Sequence, residues 1–297
     1  MLVRIVTLSL ALLGSVDLSA QKSLRTKFAD VAEYISGDVG IAVRLIERGD
    51  TISYHGSHPF PMQSTYKFQL ALQVMTDVDN GKVKLDQKIF ISRDEYFKTH
   101  SPLMKDHPDG NVELTVAEIL KYMIEWSDNV ACDVLFKLVG GPKRVDLLMH
   151  SLGIEDMAIR NTEREMHGND QLQFQNWTTP KTMVQLLTKF YTSNMLSENS
   201  RKVLWDLMVI TKTGPRRIRG LLPEGTVVAN RTGTGDITKD RRLSAVNDVG
   251  IIVLPNGEHL AIAVYISNTH EEMAEAEAVI AKLSKVAYDH FAEGEKK

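Results

Sequence analysis

The chain has 297 residues, of which 43% are hydrophobic and 25% are charged, and its formal net charge at pH 7 is −3. This length is enough for one large domain or two interwoven layers with a sizeable core, and the composition is that of an ordinary globular protein. The absence of any block of like charge argues against a nucleic-acid-binding or polybasic membrane-binding role.

The first twenty residues have the pattern of a secretory signal. A basic start at Arg4 precedes an apolar core over residues 5–16, and a small residue stands at Ala20. Because the apolar core is too short to cross a bilayer, we interpret residues 1–20 as a signal peptide that is cleaved near Ala20. The alternative is a first core helix. We expect an exported, soluble, periplasmic protein without a membrane anchor.

The segment from residue 21 to residue 59 changes from helix to strand. Helical periodicity from Ser23 to Ile35 ends at Gly37, and "VGIAVRLIERGDTISYHG" has the pattern of two strands joined by a turn at Gly49-Asp50. The sequence therefore predicts a helix followed by a β-hairpin.

Helical patterns dominate residues 60–217. Thr115 and Glu118 form a capping box that opens a helix. A further helix over residues 129–139 is stopped by Gly140-Gly141-Pro142, and the proline also begins the next helix. We expect this part of the chain to be an all-α domain.

Strand patterns return near the end of the chain. The runs "TVVANRTGTGD", "NDVGIIVLP" and "LAIAVYISN" predict three strands, and residues 271–291 predict a closing helix. The predicted fold class is α+β: one antiparallel five-stranded sheet covered by the N- and C-terminal helices, plus the inserted all-α domain. The discontinuous α/β domain would comprise residues 21–59 and 218–297, with the active site at its seam with residues 60–217.

The cysteine and histidine content limits the possible chemistry. Cys132 is the single cysteine, so no intrachain disulfide can form, and its apolar helical setting predicts a buried structural thiol. The nine histidines are scattered without metal-ligand spacing. We expect no metal and no cofactor.

A serine and a lysine stand three residues apart in "QSTYKFQLAL". On a helix, Ser64 and Lys67 would share a face, and the helix N-terminus would direct free N–H groups and positive potential at the serine. This environment suits a nucleophilic serine with Lys67 as its base. The alternative is an ordinary helix cap followed by a surface lysine.

Ser127-Asp128-Asn129 lies between two predicted helices. Ser, Asp and Asn are the preferred N-cap residues, so a structural cap is one interpretation. In a functional interpretation, Ser127 faces a reacting nitrogen and Asn129 a substrate amide.

Two triplets combine a cation, a threonine and a glycine. Lys212-Thr213-Gly214 ends an apolar helix, where the glycine acts as a helix stop, and we interpret this triplet as a chance match. Arg231-Thr232-Gly233 instead ends a strand, where the cation and hydroxyl can bind a carboxylate and the glycine permits close backbone approach.

The order Ser-x-x-Lys, Ser-Asp-Asn, Arg-Thr-Gly resembles the penicillin-recognising serine enzymes, and among them the class A β-lactamases. The resemblance covers essentially the whole mature chain. The loop "RNTEREMHGNDQLQFQNWTTP" places Glu163 where class A enzymes have their deacylating glutamate, which penicillin-binding proteins lack. Glu163 therefore favours a hydrolase.

The resemblance implies a role for each site residue. Ser64 attacks the β-lactam carbonyl, Lys67 or Glu163 acting through water takes its proton, and the N–H groups of Ser64 and Thr234 stabilise the oxyanion. Ser127 passes a proton to the lactam nitrogen, and Glu163 activates the deacylating water. The substrate carboxylate is bound by a further set of residues: Arg231, Thr232, Thr234 and a second arginine, Arg217.

Four features, at six positions, depart from the usual family pattern. Met166-His167 replaces a Leu-Asn pair beside the hydrolytic water, and Asn161 and Asn176 replace an Arg–Asp bridge, so we expect the loop to fold differently. His100 stands at an aromatic gatekeeper position, and Arg231 replaces the commoner lysine, as in carbenicillin-hydrolysing members. The Met-His pair resembles the PER-like branch, which implies that cephalosporins are among the substrates.

Two other functions use the same residues. A D-Ala-D-Ala carboxypeptidase (a penicillin-binding protein) would form a long-lived acyl-enzyme, and a non-catalytic sensor module would only bind the β-lactam. Sensors of this kind normally continue into a membrane segment, and no stretch after residue 20 is apolar over a sufficient length. We expect a monomeric serine β-lactamase whose partner is its small-molecule substrate.

Overall fold

The fold is organised around one central sheet, in a computed structural model that describes residues 18–49 and 51–293. The strands are β1 Asp38–Leu45, β2 Thr51–Tyr54, β3 Phe60–Pro61, β4 Lys88–Ile91, β5 Val112–Thr115, β6 Met157–Ala158, β7 Trp177–Thr178, β8 Val228–Thr234, β9 Leu243–Val253 and β10 His259–Thr269. The helices are α1 Leu18–Ala32, α2 Lys67–Asp79, α3 Pro102–Asp106, α4 Val116–Glu125, α5 Asn129–Val139, α6 Pro142–Ser151, α7 Glu163–Gly168, α8 Pro180–Thr192, α9 Glu198–Val209 and α10 Met273–Glu293. Residues 1–17 of the predicted signal peptide lie outside the described residues.

The central sheet has five strands in the order β2-β1-β10-β9-β8. All neighbouring pairs are antiparallel, with Val43 opposite Ile262 and Arg231 opposite Val249. The predicted hairpin forms from β1 and β2, and the three late strand runs become β8, β9 and β10. The prediction of one antiparallel five-stranded sheet is confirmed.

Both faces of the sheet are covered. On one face, Ile262 and Val264 pack with Phe28 of α1 and Ile280 of α10. On the other face, Tyr265 belongs to the larger core that includes the buried side chains of α2 and α8. Because successive residues of a strand point to opposite faces, covering both faces buries nearly every residue of β9 and β10. The prediction that the terminal helices cover the sheet is confirmed.

The helices lie mainly in residues 60–217, as the sequence pattern predicts. The Thr115–Glu118 capping box forms in both directions, and Gly140 ends α5 with a φ of 91°. The core on this side runs without interruption from the helices onto the sheet. The boundaries of the two-domain division therefore stay a prediction.

None of the helices within the described ranges has the length and apolar character needed to cross a membrane.

Gly250, in the middle of β9, has no room for a side chain. A Cβ atom there would lie 2.3 Å from the carbonyl oxygen of Ala229 and 2.7 Å from the Cβ of Asn230, both on β8. We predict that Gly250→Ala lowers the free energy of unfolding by about 1–3 kcal/mol, because β8 must shift to admit the methyl group. Urea unfolding measures the change.

Gly168→Ala is the matched control, since a Cβ atom there would meet nothing within 4 Å. We expect its free energy of unfolding to change by less than about 0.5 kcal/mol. Equal effects of the two substitutions would contradict the steric explanation.

Candidate active site

Ser64 lies in a 3₁₀ turn, Gln63–Tyr66, that leads directly into α2. No side-chain cap hydrogen bond occurs at the start of the turn or of the helix, so the interpretation of Ser64 as an ordinary cap is wrong. Gln63 has a φ of 48°, a left-handed conformation that is uncommon for residues other than glycine. The strained residue immediately precedes the candidate nucleophile.

Lys67 is fully buried, which excludes the surface-lysine interpretation. Its Nζ donates to the Ser127 carbonyl oxygen at 2.9 Å, to Asn129 Oδ1 at 2.5 Å and weakly to Ser127 Oγ at 3.5 Å. Glu163 Oε1 lies 3.0 Å from Nζ as an ion pair. No hydrogen bond joins Lys67 to Ser64 in the described part of the chain, so the ammonium links three other predicted site residues instead.

Asp128 fixes the turn that carries Ser127 and Asn129. It is fully buried, and its carboxylate accepts the N–H groups of Ala131 at 2.8 Å and of Leu103 at 2.7 Å. Asp128 is thus the N-cap of α5, while Ser127 beside it has a φ of 62°. The capping and functional interpretations of this triplet are compatible, because the cap residue holds its two neighbours toward the site.

Glu163 is the first residue of α7, and a carboxylate on α5 holds it in place. The backbone N–H groups of Glu163 and Arg164 donate to Asp133 at 2.8 and 2.9 Å. Burial raises the pKa of Asp133 to about 7 against the opposing effect of these hydrogen bonds. Asp133 was not among the site residues predicted from the sequence, although an acidic residue four positions after Asn129 in an apolar helix is the available signal.

Two asparagines close the neck of the loop that carries Glu163. Asn176 is fully buried; its Oδ1 accepts the N–H groups of Arg160 at 2.7 Å and Asn161 at 3.0 Å, and its Nδ2 donates to the Asn161 carbonyl at 2.9 Å. The Asn161 side chain donates to the Leu172 carbonyl across the loop. Neutral amide hydrogen bonds therefore close this neck.

Arg231 on β8 is fully buried behind the site. Its Nη2 donates to Ser127 Oγ at 2.5 Å and its Nη1 to Thr213 Oγ1 at 3.4 Å. Burial lowers the pKa of Arg231 to about 10, which leaves the guanidinium protonated at neutral pH. A Cβ atom on Gly233 would lie 2.5 Å from the Met62 carbonyl oxygen, so only glycine allows β8 to approach the turn that carries Ser64.

Arg217 is buried and anchored on several sides. Nη1 donates to the carbonyl oxygens of Gly233 and Asn247, both at 2.9 Å, and Nε pairs with Glu277 at 3.2 Å. Nη2 donates to Thr234 Oγ1 at 2.7 Å. Arg217 therefore reaches the site mainly through the hydroxyl of Thr234.

Thr213 lies in the Lys212-Thr213-Gly214 triplet, which was interpreted from the sequence as a chance match. Lys212 is exposed, but Thr213 Oγ1 lies 2.6 Å from Thr232 Oγ1. The interpretation of the triplet as a chance match is therefore wrong for Thr213. Its sequence signal was masked by the helix end that precedes it.

A cavity of about 430 Å³ brings these residues together. His100 stands at its wall with Nε2 2.9 Å from the Trp126 carbonyl oxygen, and the ring of His167 lies 6.0 Å from that of Phe97. Lys67, Arg231 and Gly233 lie behind the wall. The lining consists of Gln63, Ser64, Thr99, His100, Ser127, Asn129, Glu163, Met166, His167, Gln173, Thr213, Gly214, Arg217, Thr232, Thr234 and Asp236.

The cavity suits acyl transfer to a serine. It presents the Ser64 hydroxyl, a carboxylate at Glu163 and hydroxyl donors at Thr232 and Thr234, with buried cations behind them. Across residues 18–49 and 51–293 there is no group of three His, Cys, Asp or Glu side chains that could hold a metal ion.

Comparison with known proteins places the chain in a family. The model of the β-lactamase enzyme family matches residues 23–291. The extended-spectrum β-lactamase PER-1 of Pseudomonas aeruginosa is 39% identical over 95% of this chain and 92% of its own, and the β-lactamase VEB-1 of the same organism is 35% identical over 91% and 90%.

A solved structure extends this similarity to the fold. The TLA-1 extended-spectrum β-lactamase superposes with a TM-score of 0.90 at 43% identity, covering 92% of this chain and 99% of that one. The chain therefore belongs to the β-lactamase enzyme family, as a class A serine enzyme similar to the PER branch.

Proposed function

We propose that this chain hydrolyses the β-lactam amide bond of penicillins and cephalosporins through an acyl-enzyme on Ser64, which water activated by Glu163 then releases. The observation that carries the proposal is the position of Glu163, whose carboxylate lines the same cavity as Ser64 and forms an ion pair with Lys67 at 3.0 Å. A carboxylate so placed supplies the base for the second half of the reaction. Extended-spectrum relatives support cephalosporins as substrates.

The hydrogen-bond directions support Glu163, acting through water, as the base for acylation as well. The hydrogens of the Lys67 ammonium are directed to Ser127 and Asn129 rather than to Ser64. The Glu163 side chain lines the cavity and keeps 11% of its surface exposed, so its carboxylate can meet a water molecule there. The Lys67 ammonium, 3.0 Å from Oε1, balances the negative charge of the carboxylate.

Ser127 is arranged to protonate the leaving nitrogen. Its Oγ accepts from Arg231 Nη2 and Lys67 Nζ, and both of these groups can only donate. The hydroxyl proton of Ser127 is therefore directed elsewhere, toward the cavity. Because Arg231 does not deprotonate at neutral pH, the proton that Ser127 gives up is replaced through Lys67.

The remaining predicted residues bind substrate. The backbone N–H groups of Ser64 and Thr234 form the oxyanion hole, and Asn129 binds the substrate amide. Thr232 and Thr234 hold the substrate carboxylate, with the buried charge of Arg231 behind the cavity wall and Arg217 behind Thr234. His100 and His167 border the cavity, and His167 takes the place beside the hydrolytic water.

We also propose that residues 1–20 direct export to the periplasm, where the mature chain acts as a monomer without metal or cofactor. N-terminal sequencing of the periplasmic protein tests the cleavage near Ala20, and an uncleaved N-terminus would contradict it.

A turnover assay tests the proposed function directly. The mature protein mixed with excess chromogenic cephalosporin should convert many equivalents per active site, because Glu163 is placed to release the acyl-enzyme. A single stoichiometric burst would instead indicate a D-Ala-D-Ala peptidase or a sensor. Binding without colour change would indicate that Ser64 is not acylated.

Glu163→Gln should trap the intermediate. The amide keeps the volume of the carboxylate but cannot act as a base, so deacylation should slow by at least about a thousandfold, and by more than acylation, for which Lys67 remains as a second base. Mass spectrometry of the intact variant after mixing with substrate should then show a covalent adduct on Ser64. Unchanged steady-state turnover would remove Glu163 from the proposed role.

Asp133→Asn should lower the activity of the enzyme. The two N–H groups at the start of α7 bind different oxygens of the carboxylate, and the amide nitrogen that replaces one of these oxygens cannot accept a hydrogen bond, so Glu163 loses part of its support and kcat should fall about tenfold at every pH. Stopped-flow kinetics should assign the loss to deacylation. An unchanged kcat would show that Asp133 does not position Glu163.

The stability of the Asp133→Asn variant should increase relative to that of the wild type as the pH rises. Because burial raises the pKa of Asp133 to about 7, protonation of this group stabilises the folded wild type at low pH and the benefit is lost as the pH rises through about 7. The variant lacks this titration. Between pH 5 and pH 8 its free energy of unfolding should gain on the order of 2 kcal/mol relative to wild type, measured by urea unfolding.

A further inference from the structure

A chain of hydroxyl groups connects a buried cation to the cavity. Arg231 Nη1 donates to Thr213 Oγ1 at 3.4 Å, and Thr213 Oγ1 lies 2.6 Å from Thr232 Oγ1. Thr232 lines the cavity, as does Thr213 itself. The short contact between Thr213 and Thr232 therefore links the guanidinium to the cavity surface.

The direction of this chain is fixed when a carboxylate binds. A guanidinium can only donate and a carboxylate can only accept, so they form opposite ends. Thr232 must donate its hydrogen bond to the carboxylate, and its oxygen must then accept a hydrogen bond from Thr213. Thr213 in turn accepts from Arg231.

The neighbouring hydroxyl of Thr211 does not compete with this direction. Thr211 Oγ1 lies 3.5 Å from Thr213 Oγ1, and it donates to the carbonyl oxygens of Ile124 and Glu125 at 3.2 and 3.3 Å. With its proton committed to these carbonyls, Thr211 cannot donate to Thr213. The proton of Thr213 is left for the much shorter contact to Thr232.

A second chain of the same kind ends two residues further along β8. Arg217 Nη2 donates to Thr234 Oγ1 at 2.7 Å, while its other donors are held by Glu277 and by backbone carbonyls. Thr232 and Thr234 alternate with Gly233, so they lie on the same face of the strand. Both threonine hydroxyls thus face the cavity with an arginine behind them.

We infer that Thr213 is a positioning residue for substrate binding, because it aligns the hydroxyl of Thr232 as a donor to the substrate carboxylate and connects that donor to Arg231. The inference rests on the proposed function and adds to it a residue outside the Arg231-Thr232-Gly233 triplet. Burial favours such a relay, since aligned hydrogen bonds polarise one another most strongly where water is excluded. Arg231 is then needed as a distant charge rather than as a direct ligand.

Removing the hydroxyl of Thr213 tests this role. Thr213→Val keeps the shape of the side chain, and we expect KM for a chromogenic cephalosporin with a free carboxylate to rise about tenfold while kcat changes less than about twofold. The same cephalosporin as its carboxylate methyl ester should show a KM change below about twofold, because an ester lacks the charge that the relay recognises. A merely structural role of Thr213 would raise both KM values together.

Thr213→Ser is the matched control, since it retains the hydroxyl and should keep both KM values within about twofold of wild type. Thr213→Ala removes the hydroxyl with less volume and gives the same comparison if the valine variant does not fold. Unchanged KM for the free carboxylate in the variants without a hydroxyl, or an equal rise for the ester, would overturn the role of Thr213. Turnover of the wild type, measured in the same experiment, distinguishes the role of Thr213 from the proposed function. A wild type without turnover would contradict the proposed function, whereas the results for the variants bear only on Thr213.

Discussion

The buried ammonium of Lys67 ties the parts of the site to one another. A charge with no exposure to water is tolerated only where other groups replace its hydration, and here those groups come from distant segments: Ser127 and Asn129 from the start of α5, and Glu163 from the following loop. The folded chain must therefore bring α2, α5 and α7 together around one cation. The same requirement places the candidate base and the candidate nucleophile on a common cavity.

Strained and close-packed backbone surrounds this cation. Gln63 and Ser127 both have left-handed φ angles, and Gly233 approaches the Met62 carbonyl at a distance that a side chain would prohibit. Conformations of this kind persist only where surrounding packing determines them. Here the packing comes from the buried helix α2 and from the sheet strand β8, so that two regular elements hold an irregular site.

The central sheet and the helix ends could be predicted from sequence because their signals are local. Strand alternation, the Thr115–Glu118 capping box and the glycine stop at Gly140 each act within a few residues of the structure that they determine. The order of the motifs likewise indicated which residues would meet.

What the sequence did not reveal depends on contacts between distant segments. Thr213 and Thr232 are adjacent only because the segment that follows α9 returns beside β8, and Asp133 gains its role from a loop that follows thirty residues later. The expected contact between Lys67 and Ser64 failed for the same reason. A spacing of three residues allows that contact, but the partners of Lys67 on α5 and α7 draw the ammonium away from it.

In the loop that carries Glu163, Asn161 and Asn176 stand where the family pattern has an Arg–Asp ion pair, and this replacement changes the electrostatics of the site. Its neck is held by neutral hydrogen bonds between Asn161 and Asn176, which salt does not screen. One ionisable group that shapes the loop is Asp133, which accepts the N–H of Glu163 itself. Because burial and the nearby charge of Glu163 both raise the pKa of Asp133, the charge of Glu163 and the anchoring of its helix are coupled. In this chain the fold of the loop therefore depends on the charge state of Asp133, directly beside the candidate base Glu163.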